Sequence, residues 1–323
     1  METLLKIENL KTVFWTEEGA AKAVDGVSFE VGKGETVGLV GESGCGKSVT
    51  ALSVMRLIPT SQGRIVQGSI YLEGTDLLAL PEKEMRKVRG NEISIVFQEP
   101  LTSLNPVFTC GEQVREAISL HQKLGRRKSK EKAIEMLRLV RMPDPEKRYH
   151  NYPHQMSGGM RQRVMIAMAL SCEPKLLIAD EPSTALDVSV QAQIIELLLD
   201  LKDKLGMAVL LITHDLAVVA QMVERIVVMY AGVAIEEAPV QDLFTEPAHP
   251  YTEGLLGSIP KPGLPTNRLP TIPGSVPDPL RLPTGCRFSD RCPKRMERCT
   301  VEEPPMFRVG NRHLSRCWLC EES

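Results

Sequence analysis

The stretch GLVGESGCGKSVT sets Gly41, Gly44 and Gly46 ahead of Lys47 and Ser48, in the order G-x-x-x-x-G-K-S. Glycines at that spacing let the backbone curl until its N–H groups converge, and a helix starting behind them adds its positive end, so the stretch suits phosphate. Lys47 would lie along the β- and γ-phosphates of a nucleotide, and the Ser48 hydroxyl would ligate Mg²⁺. A second stretch, KLLIADEPSTALD, delivers Asp180 and Glu181 to the end of an apolar run. Asp180 can hold the water shell of Mg²⁺, and Glu181 can polarise an attacking water as a general base. A third region, GCRFSDRCPKRMERC and then SRCWLC, crowds five of the eight cysteines into the last 38 residues. By residue type alone it fits disulfides, a metal centre or no site at all.

These side chains need elements to carry them. The short β-branched and apolar runs TVGLVG, ISIVFQ, KLLIAD, MAVLLIT and RIVVMY alternate with longer helical stretches, which predicts a mostly parallel sheet covered by helices. The glycine-rich loop follows one such strand and precedes a helix, and Asp180 ends another. From about 100 to 172 the strand signal stops, and segments such as EKAIEMLRLV space apolar residues as a helix does, predicting an inserted helical subdomain. From 259 to 284 eight prolines appear, which predicts an extended tether over the surface.

With 39 basic and 41 acidic residues, the formal charge of −2 gives no electrostatic reason to expect nucleic acid. The opening METLLKIENL lacks the order of a secretory signal, and no apolar run approaches the roughly 18 residues of a membrane span. The expectation is a soluble chain in the cytoplasm, where thiols stay reduced and disulfides are disfavoured. Cys45, Cys110 and Cys172 lie inside predicted elements and read as small buried or loop residues.

The segment QMSGGMRQRVMIAMAL resembles the signature of ATP-binding cassette (ABC) proteins, and further motifs of that family follow its order. Gln98 in VFQEP is similar to the Q-loop glutamine, Ser183 to Asp187 to the D-loop, His214 in LLITHD to the switch histidine, and Phe14 in TVFW to the aromatic that stacks on adenine. The resemblance spans about residues 4 to 245. It implies an α/β P-loop NTPase of the ABC ATPase type, with an antiparallel β subdomain, the inserted helical subdomain and a C-terminal extension. Residues 1–258 would form the nucleotide-binding domain, and 259–323 the proline-rich tether and cysteine-rich extension. It further implies ATP and Mg²⁺ as cofactors. Phe14, Gly41, Ser43, Gly44, Cys45, Gly46, Lys47, Ser48 and Val49 would contact ATP; Ser48, Gln98 and Asp180 would attend Mg²⁺; Glu181, His214 and Gln98 would be catalytic. Ser157, Gly158 and Gly159 would close on the ATP of a second cassette, with Asp187 in the D-loop beside it. A helix opened by Ser-Gly-Gly presents bare N–H groups to an anion, and GMRQR continues it with basic residues. Met160 stands where the commonest signature has glutamine.

QEPLTSLNP, EPAHPYTEGLLGSIP and SGGMRQRVMIAMAL together resemble the ATP-binding subunits of bacterial dipeptide and oligopeptide importers. That branch implies a peripheral protein on the cytoplasmic face of the membrane. Its partners would be two permease subunits, a paralogous ATPase subunit as heterodimer partner and, through the permease, a periplasmic or extracellular peptide-binding protein. Nickel-import or export ATPases, and ABC proteins without a permease, are the alternatives. The branch carries a [4Fe–4S] cluster in its C-terminal extension, which maps onto Cys286, Cys292, Cys299 and Cys317. Zn²⁺ is the rival, although the gaps of five, six and seventeen residues are wider than the two to four usual for zinc pairs. Cys320 is a fifth thiol that could replace Cys317.

Overall fold

The computed structural model of the chain describes residues 2–99, 103–182, 187–259 and 271–321. It divides into two compact units: Met1–Leu4, Gly32–Glu35 and Ala79–Leu211 form one, and Leu5–Val31, Thr36–Leu78 and Ile212–Ser323 the other. In chain order the elements are β1 (Thr3–Thr16), β2 (Gly19–Gly32), β3 (Thr36–Val40), α1 (Lys47–Val54), β4 (Gly63–Leu72), β5 (Thr75–Asp76), α2 (Glu82–Val88), β6 (Ile93–Val96), α3 (Cys110–Gln122), α4 (Arg126–Leu139), α5 (Pro145–Tyr149) and α6 (Gly158–Leu170). There follow β7 (Leu176–Asp180), α7 (Val188–Leu205), β8 (Ala208–Thr213), α8 (Leu216–Met222), β9 (Arg225–Tyr230), β10 (Val233–Pro239), α9 (Val240–Thr245), α10 (Pro250–Gly257), α11 (Arg298–Val301), β11 (Phe307–Gly310) and β12 (His313–Ser315). Among the described residues no helix is long and apolar enough to cross a membrane.

The first unit pairs β6 with β7 in parallel, Ile93 opposite Leu176 and Val96 opposite Ala179. Every residue of β7 is buried, which is why it reads as an unbroken apolar run ending in Asp180. The helices α3 to α6 pack on one another through Val114, Ile118, Ala133, Met136, Leu137 and Ile166, all buried. Gly111 opens this packing: a Cβ there would lie 2.1 Å from the ring of buried Tyr149, whose hydroxyl donates to Glu112 at 3.0 Å.

The second unit holds an antiparallel sheet in the order β2-β1-β4-β5, with Leu5 opposite Leu72 and Phe14 opposite Gly63. It also holds β3 and β9, parallel and fully buried, with Val37 beside Arg225 and Val40 beside Val228. β10 runs antiparallel to β9, β12 antiparallel to β10 (Glu236 opposite Ser315), and β11 pairs with β12. The C-terminal extension therefore shares a compact unit with the glycine-rich loop and adds two strands to its sheet. Lacking a core of its own, it borrows one. Phe288, 2% exposed, packs on Tyr230, Tyr251 and His249 at ring-centroid distances of 5.3, 5.4 and 5.8 Å. Burying one such ring contributes roughly 2 to 3 kcal/mol. Arg287 adds a buried ion pair with Asp25 at 2.7 Å.

A carboxylate with no exposure organises this junction. Glu236 accepts from the N–H of Ala248 (2.7 Å), the N–H of His249 (3.0 Å) and Nε2 of His313 (2.8 Å), tying β10 to the start of α10 and to β12. His249 caps α10 by accepting the Tyr251 N–H on Nδ1 at 3.0 Å. Burial pulls its imidazole from 6.5 down to about 4, against the opposing pull of Glu236. A histidine with a depressed folded value takes up a proton on unfolding. The stability it carries is complete above about pH 6.5 and drains as pH falls toward 4. His313 runs the other way: the Glu236 hydrogen bond raises it, so its contribution is present below about 6.5 and fades as pH rises through its folded value. His249→Asn keeps an acceptor for the Tyr251 N–H and removes the titration. Thermal melts from pH 7 to 4 should show a flatter acid loss in that variant, by up to about 3 kcal/mol at pH 4. Identical acid slopes would contradict this assignment.

Candidate functional site

The phosphate loop leaves buried β3 and reaches α1 through three glycines with positive φ: Gly41 (152°), Gly44 (81°) and Gly46 (106°). Two of these positions admit no side chain. A Cβ on Gly41 would lie 2.2 Å from the Met229 carbonyl oxygen, and one on Gly46 2.4 Å from that of Ala23. Lys47 is buried and turned back into the loop, donating to the carbonyls of Gly41 (2.7 Å) and Glu42 (3.0 Å). Its ammonium is thus held inside the curl, where a phosphate group would compete with neutral carbonyls for it. Cys45 packs beneath the loop, its thiol pushed up by burial, while Ser43, Gly44 and Ser48 face solvent and Val49 is half-buried. Phe14 lies half-buried on β1 across Gly63, whose added Cβ would meet the ring at 2.8 Å; Trp15 is the more exposed of the two aromatics, at 52%.

In the other unit, buried Asp180 ends β7 and Glu181 follows with φ +46°, a conformation rare for a residue with a side chain and usual at strained functional positions. Gln98, in the loop after β6, donates to the Glu181 carboxylate through Nε2 at 2.8 Å. The structure thus joins two residues that lie 83 positions apart in the chain. Ser157 caps α6, accepting the Met160 N–H at 3.4 Å, and stands exposed beside Gly158. Gly159 allows α7 to approach, since a Cβ there would lie 2.8 Å from Val190. Two of the basic residues after the signature reach backbone carbonyls: Arg161 donates to that of Pro153 and Arg163 to that of Val140, each at 2.7 Å. Both cap backbone within the helical subdomain. Asp187 caps α7 by accepting the Val190 N–H at 2.9 Å, whereas 183–186 lie outside the described residues. His214 follows β8 and is exposed.

Cys286, Cys292, Cys299 and Cys317 line one small cavity, of about 10 Å³, together with His249, Phe288, Lys294 and Trp318. Cys320 is not in that wall and donates to the Ala248 carbonyl at 3.6 Å. Among the described residues no three Cys, His, Asp or Glu side chains form a group that could hold a metal ion, so the expected metal site is not preformed. The cavity has room for little more than a water, and burial raises Cys286 to about 11 and Cys292 above its ordinary value, so these thiols are protonated near neutral pH and pack as small apolar groups. Binding a metal centre would displace those protons. His249 adds a polar group to this wall. Its Nδ1 accepts a hydrogen bond, which leaves the proton of the neutral ring on Nε2, and that buried atom has no partner among the described residues.

Sequence reasoning missed the anchors of the phosphate loop. Glu42 donates its N–H to the Tyr251 hydroxyl at 2.9 Å and accepts on its carboxylate from Arg291 at 2.7 and 3.1 Å. These partners stand 209 and 249 positions away, and no local spacing signals them.

Residues 24–184 match the ABC transporter family, and residues 235–299 match the C-terminal region of oligopeptide/dipeptide transporters. The oligopeptide transport ATP-binding protein AppD of Bacillus subtilis (strain 168) is 53% identical, covering 100% of this chain and 98% of the relative. The dipeptide transport ATP-binding protein DppD of the same strain is 49% identical, covering 100% and 96%. Among solved structures, the dimeric post-hydrolysis state of the ATP-binding cassette MJ0796 bound to ADP and Pi has a TM-score of 0.66 at 28% identity. That match covers 73% of this chain and 99% of the other.

The loop geometry sets a graded expectation for two glycines. Gly46→Ala meets both a positive φ and the Ala23 carbonyl, so it should lower stability by about 1 to 3 kcal/mol and weaken a fluorescent ATP analogue at least tenfold. A Cβ on Gly44 meets nothing within 4 Å, so Gly44→Ala should cost less on both counts. Equal melting temperatures and equal affinities for the two variants would refute the ranking.

Proposed function

The chain belongs to the ATP-binding subunits of the bacterial peptide-transporting ABC family, and from that premise we propose how its residues divide the work of ATP-driven peptide import. The subunit hydrolyses ATP and is a peripheral, membrane-associated component that works with permeases and a binding protein. The observation that carries the residue assignment is the Gln98–Glu181 pair at the end of β7. A carboxylate on a strained backbone, held by a side-chain amide, suits a base that must orient one water.

In this reading Gly41, Ser43, Gly44, Cys45, Gly46, Ser48 and Val49 contact the nucleotide's phosphates, with Ser43 to Gly46 in the curl, and Lys47 exchanges its loop carbonyls for phosphate oxygens. Ser48, Asp180 and Gln98 attend Mg²⁺. Glu181 takes the proton of the attacking water, His214 supports the γ-phosphate side, and Phe14 stacks on adenine. Ser157, Gly158 and Gly159, at an exposed helix start, serve the ATP of a second cassette, with Asp187 nearby. Its partner in this reading is a paralogous subunit in a heterodimer, and this chain carries residues for both halves of a composite site. Residues 1–258 act as the nucleotide-binding domain, with the helical subdomain at about 100–172 as permease contact. A groove lined by Phe108, Glu112, Arg115, Glu116 and Leu120 supports that role. Phe108 and Leu120 are 54% and 71% exposed beside charged side chains, a mixture suited to an amphipathic helix.

Residues 259–323 serve as tether and extension, and we assign to Cys286, Cys292, Cys299 and Cys317 the binding of a [4Fe–4S] cluster, with Zn²⁺ as the alternative. Support comes from four thiols in one cavity wall and from the unpartnered Nε2 of His249, a donor suited to sulfur. Such a cluster would cross-link the loops that carry its ligands.

Two measurements test these assignments. Glu181→Gln should slow ATP turnover by about 10² to 10⁴-fold while retaining nucleotide; unchanged turnover would remove Glu181 from the role. Anaerobically purified protein should be brown, with about four irons per chain, and Cys292→Ser should lose the colour while keeping ATP binding. Colourless wild-type protein with stoichiometric zinc would replace the cluster with the alternative.

A further inference from the structure

Arg291 stands beside Cys292 in the cysteine-rich extension, yet its guanidinium reaches the phosphate loop. All five of its N–H donors have acceptors. Nε donates to the Pro273 carbonyl (2.9 Å), Nη1 to Glu42 Oε2 (2.7 Å) and the Tyr230 hydroxyl (3.3 Å), and Nη2 to Glu42 Oε1 (3.1 Å) and the Ile272 carbonyl (3.3 Å). The side chain is 6% exposed. A buried guanidinium is costly unless so fully matched, and its fork on a carboxylate fixes orientation as well as distance.

On the loop side, Glu42 is held at each of its polar groups. Its carboxylate takes Arg291, its N–H donates to Tyr251, and its carbonyl accepts from Lys47 (3.0 Å) and from the Cys45 N–H (3.3 Å). The residue that positions the Lys47 ammonium is therefore itself positioned by the extension. On the extension side, a short 3-10 turn over Ser289–Arg291 runs from Phe288, locked among aromatic rings, to Cys292 in the cavity wall. Gly274, at φ +77°, brings the proline-rich segment over the guanidinium, and a Cβ there would lie 3.3 Å from Arg291 Cγ. Every one of these contacts falls within a single compact unit.

We propose that Arg291 is a positioning residue for the ATPase reaction: through Glu42 it fixes the phosphate loop to the cysteine-bearing extension, so that an ordered extension is a condition of full ATP affinity. The inference rests on the reading of Gly41–Ser48 as the nucleotide loop. Its effect falls on binding rather than on the chemical step, because Glu42 sets where the phosphates and Lys47 sit and takes no part in proton transfer.

A double-mutant cycle on the full chain tests it, with the dissociation constant of a fluorescent ATP analogue, KM and kcat for ATP as readouts. Arg291→Met and Glu42→Gln should each weaken the analogue about tenfold, raising KM with kcat at saturating ATP changed by less than about threefold. The double variant should be no weaker than either single one, because each removes the same bond. Arg291→Lys should not rescue, since an ammonium has three donors where five acceptors wait. Limited proteolysis reports on the extension. If Arg291→Met loosens it, Glu42→Gln still decides the matter from the loop side. Wild-type affinity in Glu42→Gln, or additive losses in the double variant, overturns the proposal. Lys47→Ala is the separate control: unchanged affinity there would overturn the reading of the loop itself, whereas lost affinity there beside normal Arg291→Met would overturn only the link.

Discussion

Between Val40 and Lys47 the backbone turns through three positive-φ glycines and draws a lysine ammonium onto its own carbonyls. The three glycines of that curl supply no side chains with which to hold it. Its shape depends on what leans against it from outside: the carbonyls of Ala23 and Met229, the buried strand β9, the Tyr251 hydroxyl and the Arg291 fork. Much of the second unit follows from this demand. β9 must lie beside β3, β10 must return along it, and α10 must start where Tyr251 can reach the loop. Glu236 links β10, α10 and β12 at the point where these requirements meet.

The parts legible in the sequence are those whose chemistry is contiguous. Gly41 to Ser48 lie in one stretch, and the strands that deliver Lys47 and Asp180 are buried on both faces, so they read as apolar runs. The helix opened by Ser157, Gly158 and Gly159 is equally local. What escaped depends on direction and distance. Charge at Arg161 and Arg163 is visible, but not that each side chain turns to a backbone carbonyl. Prolines predict an extended segment, but not that the carbonyls of Ile272 and Pro273 would clasp a guanidinium. Spacing alone left Cys317 and Cys320 as rivals; only the fold sets Cys317 in the cavity wall with the other three.

The extension illustrates how a segment too short for its own core becomes structured. It supplies one ring to an existing aromatic cluster, one guanidinium to an existing loop, one buried ion pair to Asp25 and a pair of strands to an existing sheet. Each contact is worth a few kcal/mol at most, and their sum is set against the cost of ordering irregular backbone. A metal centre joining its loops would act on the second quantity by restricting the unfolded segment.

Those two added strands also change how the molecule meets copies of itself. β10 would otherwise present an open row of N–H and C=O groups at the border of a sheet, a template for pairing with any extended chain nearby. β12 occupies that row, and beyond it β11 is only four residues long, with Arg308 exposed among them. Short length and a cationic side chain are poor invitations to further pairing. Proteolytic loss of the extension would therefore do more than loosen a loop. It would bare the edge of β10 at Glu236 and Glu237, the stretch that β12 covers, and open the backbone groups there to pairing with another chain.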